Sequence, residues 1–122
     1  EGRGLGDEFL KHIERTRLLV HVIDVAPLDE SDPVEAYREI RDELTLYSET
    51  LGERPEIVAA NKVDMPRAEE EMERLRDQLD APVYPISAVR GDGLRKLVGR
   101  IVKVLAAMEK EDVEAAPEHP EL

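Results

Sequence analysis

The chain has 122 residues, enough for one domain that buries about two-thirds of its unfolded surface. Asp and Glu outnumber Lys and Arg by 29 to 17, a formal charge of -12 that argues against a general nucleic-acid binder and, with it, DNA as a partner. There is no cysteine, which excludes disulfides and thiolate metal sites and fits a reducing compartment.

The chain opens on Glu1 rather than Met, directly into a glycine-spaced segment, and is expected to be a piece of a longer protein. A short helix using Phe9, Leu10 and Ile13 is predicted first. Leu18 to Val25 follows, rich in β-branched residues and bounded by charges and Pro27. The apolar stretch from Leu18 to Leu28 is interrupted by His21, Asp24 and Pro27, so no membrane span is predicted. Runs at Ile57–Ala60 and at Val83–Ile86 complete a set of three, apolar on both faces, as buried parallel strands are. Pro85 inside the third run predicts a place at the sheet edge.

Between these runs the period becomes helical. Asp32-Pro33 reads as an N-cap followed by proline in the first turn, and Val34, Tyr37, Ile40, Leu44, Tyr47 and Leu51 then share one face until Gly52. Pro66 is expected to start a second helix that buries Met72, Leu75 and Leu79. Leu94, Leu97, Val98, Ile101, Val102, Leu105 and Met108 predict a third, with the widest apolar stripe in the chain. From Glu109 to Leu122 the sequence is rich in Glu, Pro and Ala, has no period, and reads as an acidic linker or tail. Strand–helix alternation of this kind implies right-handed crossovers, and hence an α/β fold with a three-layer α/β/α parallel sheet. Three strands would leave the apolar first strand with an open edge, which again points to further strands upstream.

Ligands in such sheets bind at the carboxyl ends of the strands. The second strand runs into Asn61-Lys62-Val63-Asp64 and the third into Ser87-Ala88-Val89, with Gly91 and Gly93 beyond. Asn-Lys-x-Asp alone is a weak signal; its place at a strand mouth, one βαβ unit before a Ser-Ala turn, strengthens it. A purine accounts for each residue type. The Asp64 carboxylate can accept two parallel hydrogen bonds, and guanine, unlike adenine, offers an adjacent N1–H and 2-amino group. The Lys62 stem can lie along the base while its ammonium stays wet. Asn61 can tie the loop to neighbouring backbone and reach the base edge. The Ala88 N–H can donate to guanine O6, where a small side chain permits close approach. The plainer reading makes Asn61 and Asp64 an Asx turn capping the next helix and Ser87 a turn cap.

These two loops resemble the guanine-specificity motifs of translation-factor-class GTPases. The stretch from Gly2 to Thr16, Gly-Arg-Gly-Leu-Gly-Asp-Glu-Phe-Leu-Lys-His-Ile-Glu-Arg-Thr, resembles the Obg family specifically, where such a segment follows the phosphate-sensing motif and forms part of switch II. The resemblance covers residues 2 to 108. It implies a P-loop NTPase-like G domain lacking its N-terminal half over residues 1–108, with 109–122 a tail. It further implies guanine contacts from Asn61, Lys62, Asp64, Ser87, Ala88 and Val89. For the longer protein it implies a cytoplasmic GTP hydrolase acting in ribosome assembly, with GTP or GDP and Mg²⁺ as cofactors and the large ribosomal subunit as partner. The chain departs from the family pattern: no glycine is followed by lysine, so the phosphate-cradling loop is absent. The Mg²⁺-binding threonine of switch I and the Asp-x-x-Gly motif of switch II are missing too and are expected upstream. The segment itself therefore carries no expected catalytic or metal-binding residue. The competing reading is a non-catalytic ribosome- or protein-interaction domain derived from a GTPase.

Other features have ordinary readings. Gly2-x-Gly4-x-Gly6 follows no strand and is no dinucleotide fingerprint. Asp24 reads as a structural hydrogen-bonding residue. His12, His21 and His119 lack metal-ligand spacing, and Glu69–Glu71 is a solvated face. Arg90, Arg95, Lys96, Arg100 and Lys103 read as the polar side of the last helix.

Overall fold

The computed structural model describes residues 5–115. Its elements are α1 (Asp7–Ile13), β1 (Leu19–Asp24), α2 (Pro33–Tyr47), α3 (Glu49–Gly52), β2 (Glu56–Asn61), α4 (Ala68–Gln78), β3 (Val83–Ile86) and α5 (Leu94–Ala115). The strands form one parallel sheet in the order β1-β2-β3, with Asp24 opposite Asn61 and Asn61 opposite Ile86. All three strands therefore end at one rim.

Alternation along the strands builds the two cores. On one face Ile23, Val58, Ala60 and Val83 pack with Val34 of α2 and with Ala68, Met72 and Leu75 of α4. On the other, Ile57, Ala59 and Ile86 pack beneath Leu94, Leu97, Ile101 and Val104 of α5. Val58, Ala59 and Ala60 are fully buried, which explains why β2 reads as a continuous apolar run. A third cluster of Leu10, Leu44 and Leu51 holds α1 against α2 and α3. The fold is the expected three-layer α/β arrangement, and it is compatible with part of a P-loop GTPase domain.

Three boundaries and the burial of one helix face differ from the sequence reading. The helix expected to run unbroken to Gly52 stops at Tyr47. Ser48 turns to extended backbone and its Oγ accepts from Leu51 N at 3.3 Å, starting α3 afresh. The helix expected to begin at Pro66 begins at Ala68, after a turn closed by Ala68 N donating to Met65 O. The last helix continues to Ala115, past the point at Glu109 where a tail was expected. Glu, Lys and Ala are strong helix formers, and Asp112 pairs with Arg17; residues 116–122 lie outside the described range. Finally, Val98, Val102 and Leu105 of its apolar stripe face outward, because a sheet of three strands is too narrow to cover the whole stripe.

Asp32 caps α2 as expected, its Oδ1 accepting from Val34 N at 3.0 Å ahead of Pro33. β3, with Pro85, lies at one edge of the sheet. β1 lies at the other, where Val20 and Val22 are exposed. A groove of about 420 Å³ follows that edge between Phe9, Ile13, Val20 and Val22, away from the strand mouths.

A polar hub links the sheet to α2. Glu56 Oε1 accepts from Tyr37 OH at 2.9 Å, and Oε2 lies 3.1 Å from His21 Nδ1 and 3.7 Å from Arg41 Nη1. The His21 and Tyr37 rings stack with centroids 4.9 Å apart, so His21 is a packing residue, while the imidazole of His12 bonds among the described residues to Glu8 O of its own helix. Burial raises the Glu56 carboxyl, but the His21 and Tyr37 hydrogen bonds and the Arg41 charge outweigh it and hold the group below its ordinary value. The Tyr37 phenol is pushed up to about 12, by burial first and then by the Glu56 charge.

Both shifts set pH limits on stability. A lowered carboxyl contributes above its unfolded value, about 4.3, and the contribution is lost as pH falls through the folded value. A raised phenol contributes fully below about 10 and is lost as pH rises toward about 12. Urea midpoints across pH should show both limbs. Tyr37→Phe should remove the alkaline limb contributed by this residue, and Glu56→Gln should flatten the acid limb at a cost of about 1–3 kcal/mol at neutral pH.

Candidate functional site

At the rim where the strands end, backbone bonds set two loops side by side. Val25 N donates to Asn61 O at 3.1 Å, and Val63 N donates to Ile86 O at 3.1 Å. The loop after β2 closes with Met65 N donating to Lys62 O at 3.0 Å. After β3, Ser87 and Asp92 form an antiparallel bridge, Gly91 N donates to Ser87 O at 2.7 Å, and Gly91 and Gly93 take φ values of 87° and 75°. A tight turn ahead of α5 needs those positive angles, which glycine adopts without a Cβ penalty.

The side chains lock this arrangement. Asn61 Oδ1 accepts from Ala88 N at 2.9 Å across 27 residues of sequence, joining the loops into one edge. Asn61 thus ties backbone as anticipated, but the N–H it holds is the one expected to meet O6. A base at that edge would have to share it in a three-centre bond. The neighbouring Val89, 91% exposed, makes no hydrogen bond among the described residues. Ser87 is buried, and its Oγ accepts from Arg90 N at 3.2 Å; its turn-capping role is real.

Asp64 is exposed, and its carboxylate takes no partner among the described residues. It caps nothing: the N-cap position of α4 is Arg67, with no side-chain capping bond. The plainer reading of Asn61 and Asp64 as an Asx turn therefore fails. Lys62 also departs from expectation. Its ammonium is not left to water but lies 2.8 Å from Asp24 Oδ2, at the end of β1. Asp24 is the residue of this rim that sequence reasoning left aside; its only signal was a carboxylate closing an apolar strand.

Similarity to known proteins decides the family. GTPase Obg of Alkaliphilus oremlandii is 49% identical over 113 residues, covering 90% of this chain and 26% of that protein. GTPase Obg of Desulforamulus reducens is 48% identical over 124 residues, covering 99% of the chain and 28% of the relative. GTPase Obg of Shouchella clausii is 43% identical over 122 residues. The chain belongs to the Obg family. It spans about a quarter of the length of these relatives, and no family model matches it.

In this Obg segment the site is an edge rather than a cavity, with Asp64, Ala88 and Val89 all open to solvent. Of the glycine-spaced string that carried the resemblance, residues 1–4 lie outside the described range, while Gly6, at φ 86°, precedes α1. The basic residues Arg95, Lys96, Arg100 and Lys103 line exposed positions of α5. Among the described residues no group of three or more His, Cys, Asp or Glu could hold a metal ion, and no helix is long and apolar enough to cross a membrane.

Proposed function

We propose that this segment reads the guanine base for a longer Obg-family GTPase. The bond from Ala88 N to Asn61 Oδ1 carries the reading, because it makes one continuous edge from the two loops that the sequence pattern pairs. Along that edge Asp64 accepts from the base N1–H and 2-amino group, Lys62 covers one face with its aliphatic stem, and the Ala88 and Val89 backbone faces O6. Ser87 holds the turn, and Asn61 holds the two loops together. An exposed, unpartnered carboxylate is what bidentate recognition requires, since no intrachain bond has to break first.

The full-length protein, on this reading, hydrolyses GTP in the cytoplasm and acts in ribosome assembly on the large subunit. Residues 1–108 are the second half of its G domain, with the stretch before β1 belonging to switch II, and 109–122 lead out of it. The phosphate-binding loop and Mg²⁺ ligands come from upstream. Mg²⁺ would supply charge neutralisation at the phosphates; the residues described here act on the base alone.

Competition binding on the full-length protein tests the reading: guanine nucleotides should displace a fluorescent GDP analogue at concentrations where ATP does not. Equal displacement by ATP overturns it. The 122-residue chain by itself should hydrolyse no GTP above background, because positioning at the phosphates carries phosphoryl transfer. Its guanine affinity should also be weak, since base contacts alone must offset the whole cost of association. Mg²⁺-dependent turnover by the purified chain would show that phosphate machinery resides within it.

A further inference from the structure

We infer that Asp24 is a positioning residue of the nucleotide site, acting through Lys62; the inference rests on the guanine reading above. Asp24 closes β1 in register with Asn61, so Lys62, one residue beyond, leaves β2 beside it. The two carboxylate oxygens have separate tasks. Oδ1 accepts from Ala26 N at 2.9 Å and shapes the turn out of β1, while Oδ2 holds Lys62 Nζ at 2.8 Å. Among the described residues Asp24 is the only carboxylate paired with Lys62.

The backbone at Lys62 adds to this. Its φ of 78° is a left-handed angle that a lysine adopts only where its surroundings hold it. Here the Val63 N–H bond to Ile86 O holds the chain on one side and the Asp24 ion pair holds the side chain on the other. An unanchored lysine would sample many rotamers, and ordering it on binding would weaken the complex. With its ammonium fixed at the end of β1, its four-carbon stem bridges the mouths of β1 and β2 before any base arrives, as an apolar rail for one ring face. Asp24 touches no base in this scheme. It determines where Lys62 lies.

Asp24→Asn separates this role from turn formation. The amide oxygen still accepts from Ala26 N, whereas the NH₂ that replaces Oδ2 faces the ammonium donor to donor. In the full-length protein at low salt, calorimetric GDP affinity should fall about fivefold, the scale of a half-exposed ion pair, and the loss should shrink as salt rises. GTP and XTP should weaken by the same factor, because Asp24 does not read the base edge. Asp24→Ser, which also keeps a turn acceptor, should behave alike. The decisive measurement is a double-mutant cycle with Lys62→Met, which keeps the stem's bulk but removes the charge. In that background Asp24→Asn should cost nothing further. Additive losses, or no loss from Asp24→Asn alone, overturn the inference while leaving the guanine preference in place. A wild-type protein that binds GTP and XTP equally overturns the guanine reading, and the positioning role with it.

Discussion

Asp64→Asn is expected to lower GTP affinity of the full-length protein by roughly two to three orders of magnitude and to make it prefer XTP. A bidentate carboxylate–base pair is worth about 1–3 kcal/mol of discrimination. The substitution keeps the size of the side chain but turns one acceptor oxygen into a donor that meets the guanine amino group. A donor left unpaired in the contact costs about 1–3 kcal/mol more. Xanthine has a carbonyl where guanine has that amine, so the new NH₂ finds an acceptor there. The fold should be indifferent, since Asp64 caps no helix and its carboxylate pairs with no described residue. Competition of GTP and XTP for wild type and variant, with a urea curve for each, gives both answers. An unchanged GTP-to-XTP ratio would mean that Asp64 does not read the base.

The largest effect on stability is expected at Gly93. Its φ is 75°, and a Cβ there would lie 2.2 Å from Pro85 O and 3.3 Å from Ile86 Cα. Both are backbone atoms of β3, so neither can swing aside. Gly93→Ala therefore combines a left-handed penalty of about 1–2 kcal/mol with a displaced strand end, for a total of about 3 kcal/mol or more. Gly91 provides the control. Its φ is 87° but nothing lies within 4 Å of its added Cβ, so Gly91→Ala should cost only about 1–2 kcal/mol. Urea unfolding of the two variants separates close approach from backbone conformation. Equal losses would show that the contact with β3 carries no weight. Guanine binding should follow the same order, because the shifted strand end carries Ser87 and Ala88 with it.

Much of this architecture is legible in one dimension because it rests on local chemistry. Short β-branched runs bounded by charges and prolines read as parallel strands, and the helical period of Val34, Leu44 and Leu51 marks a buried face whichever way the chain breaks. Asp32-Pro33 is a capping signal complete within three residues. Breaks that depend on competition are harder to read: Ser48 is neutral inside a helix until its hydroxyl finds Leu51 N, and nothing nearby announces that it will. The exposed side of α5 is invisible for another reason. Val98 and Val102 carry the same periodic signal as Leu97 and Ile101, and only the width of the sheet beneath decides which are covered.

The site divides along the same line. By itself the sequence determined the two loops, their residue types and their place at strand mouths, because Asn61, Lys62, Asp64 and Ser87–Val89 are contiguous motifs next to recognisable strands. The tertiary structure alone decided how those residues are paired. Asn61 holds the Ala88 N–H, Lys62 is held by Asp24, and Asp64 holds no partner among the described residues. Those partners lie at or just beyond the ends of different strands, and only the parallel register of β1, β2 and β3 brings those carboxyl ends to a common rim. Hydrogen bonds and ion pairs act over about 3 Å, and local periodicity carries no information about which distant segments will come that close.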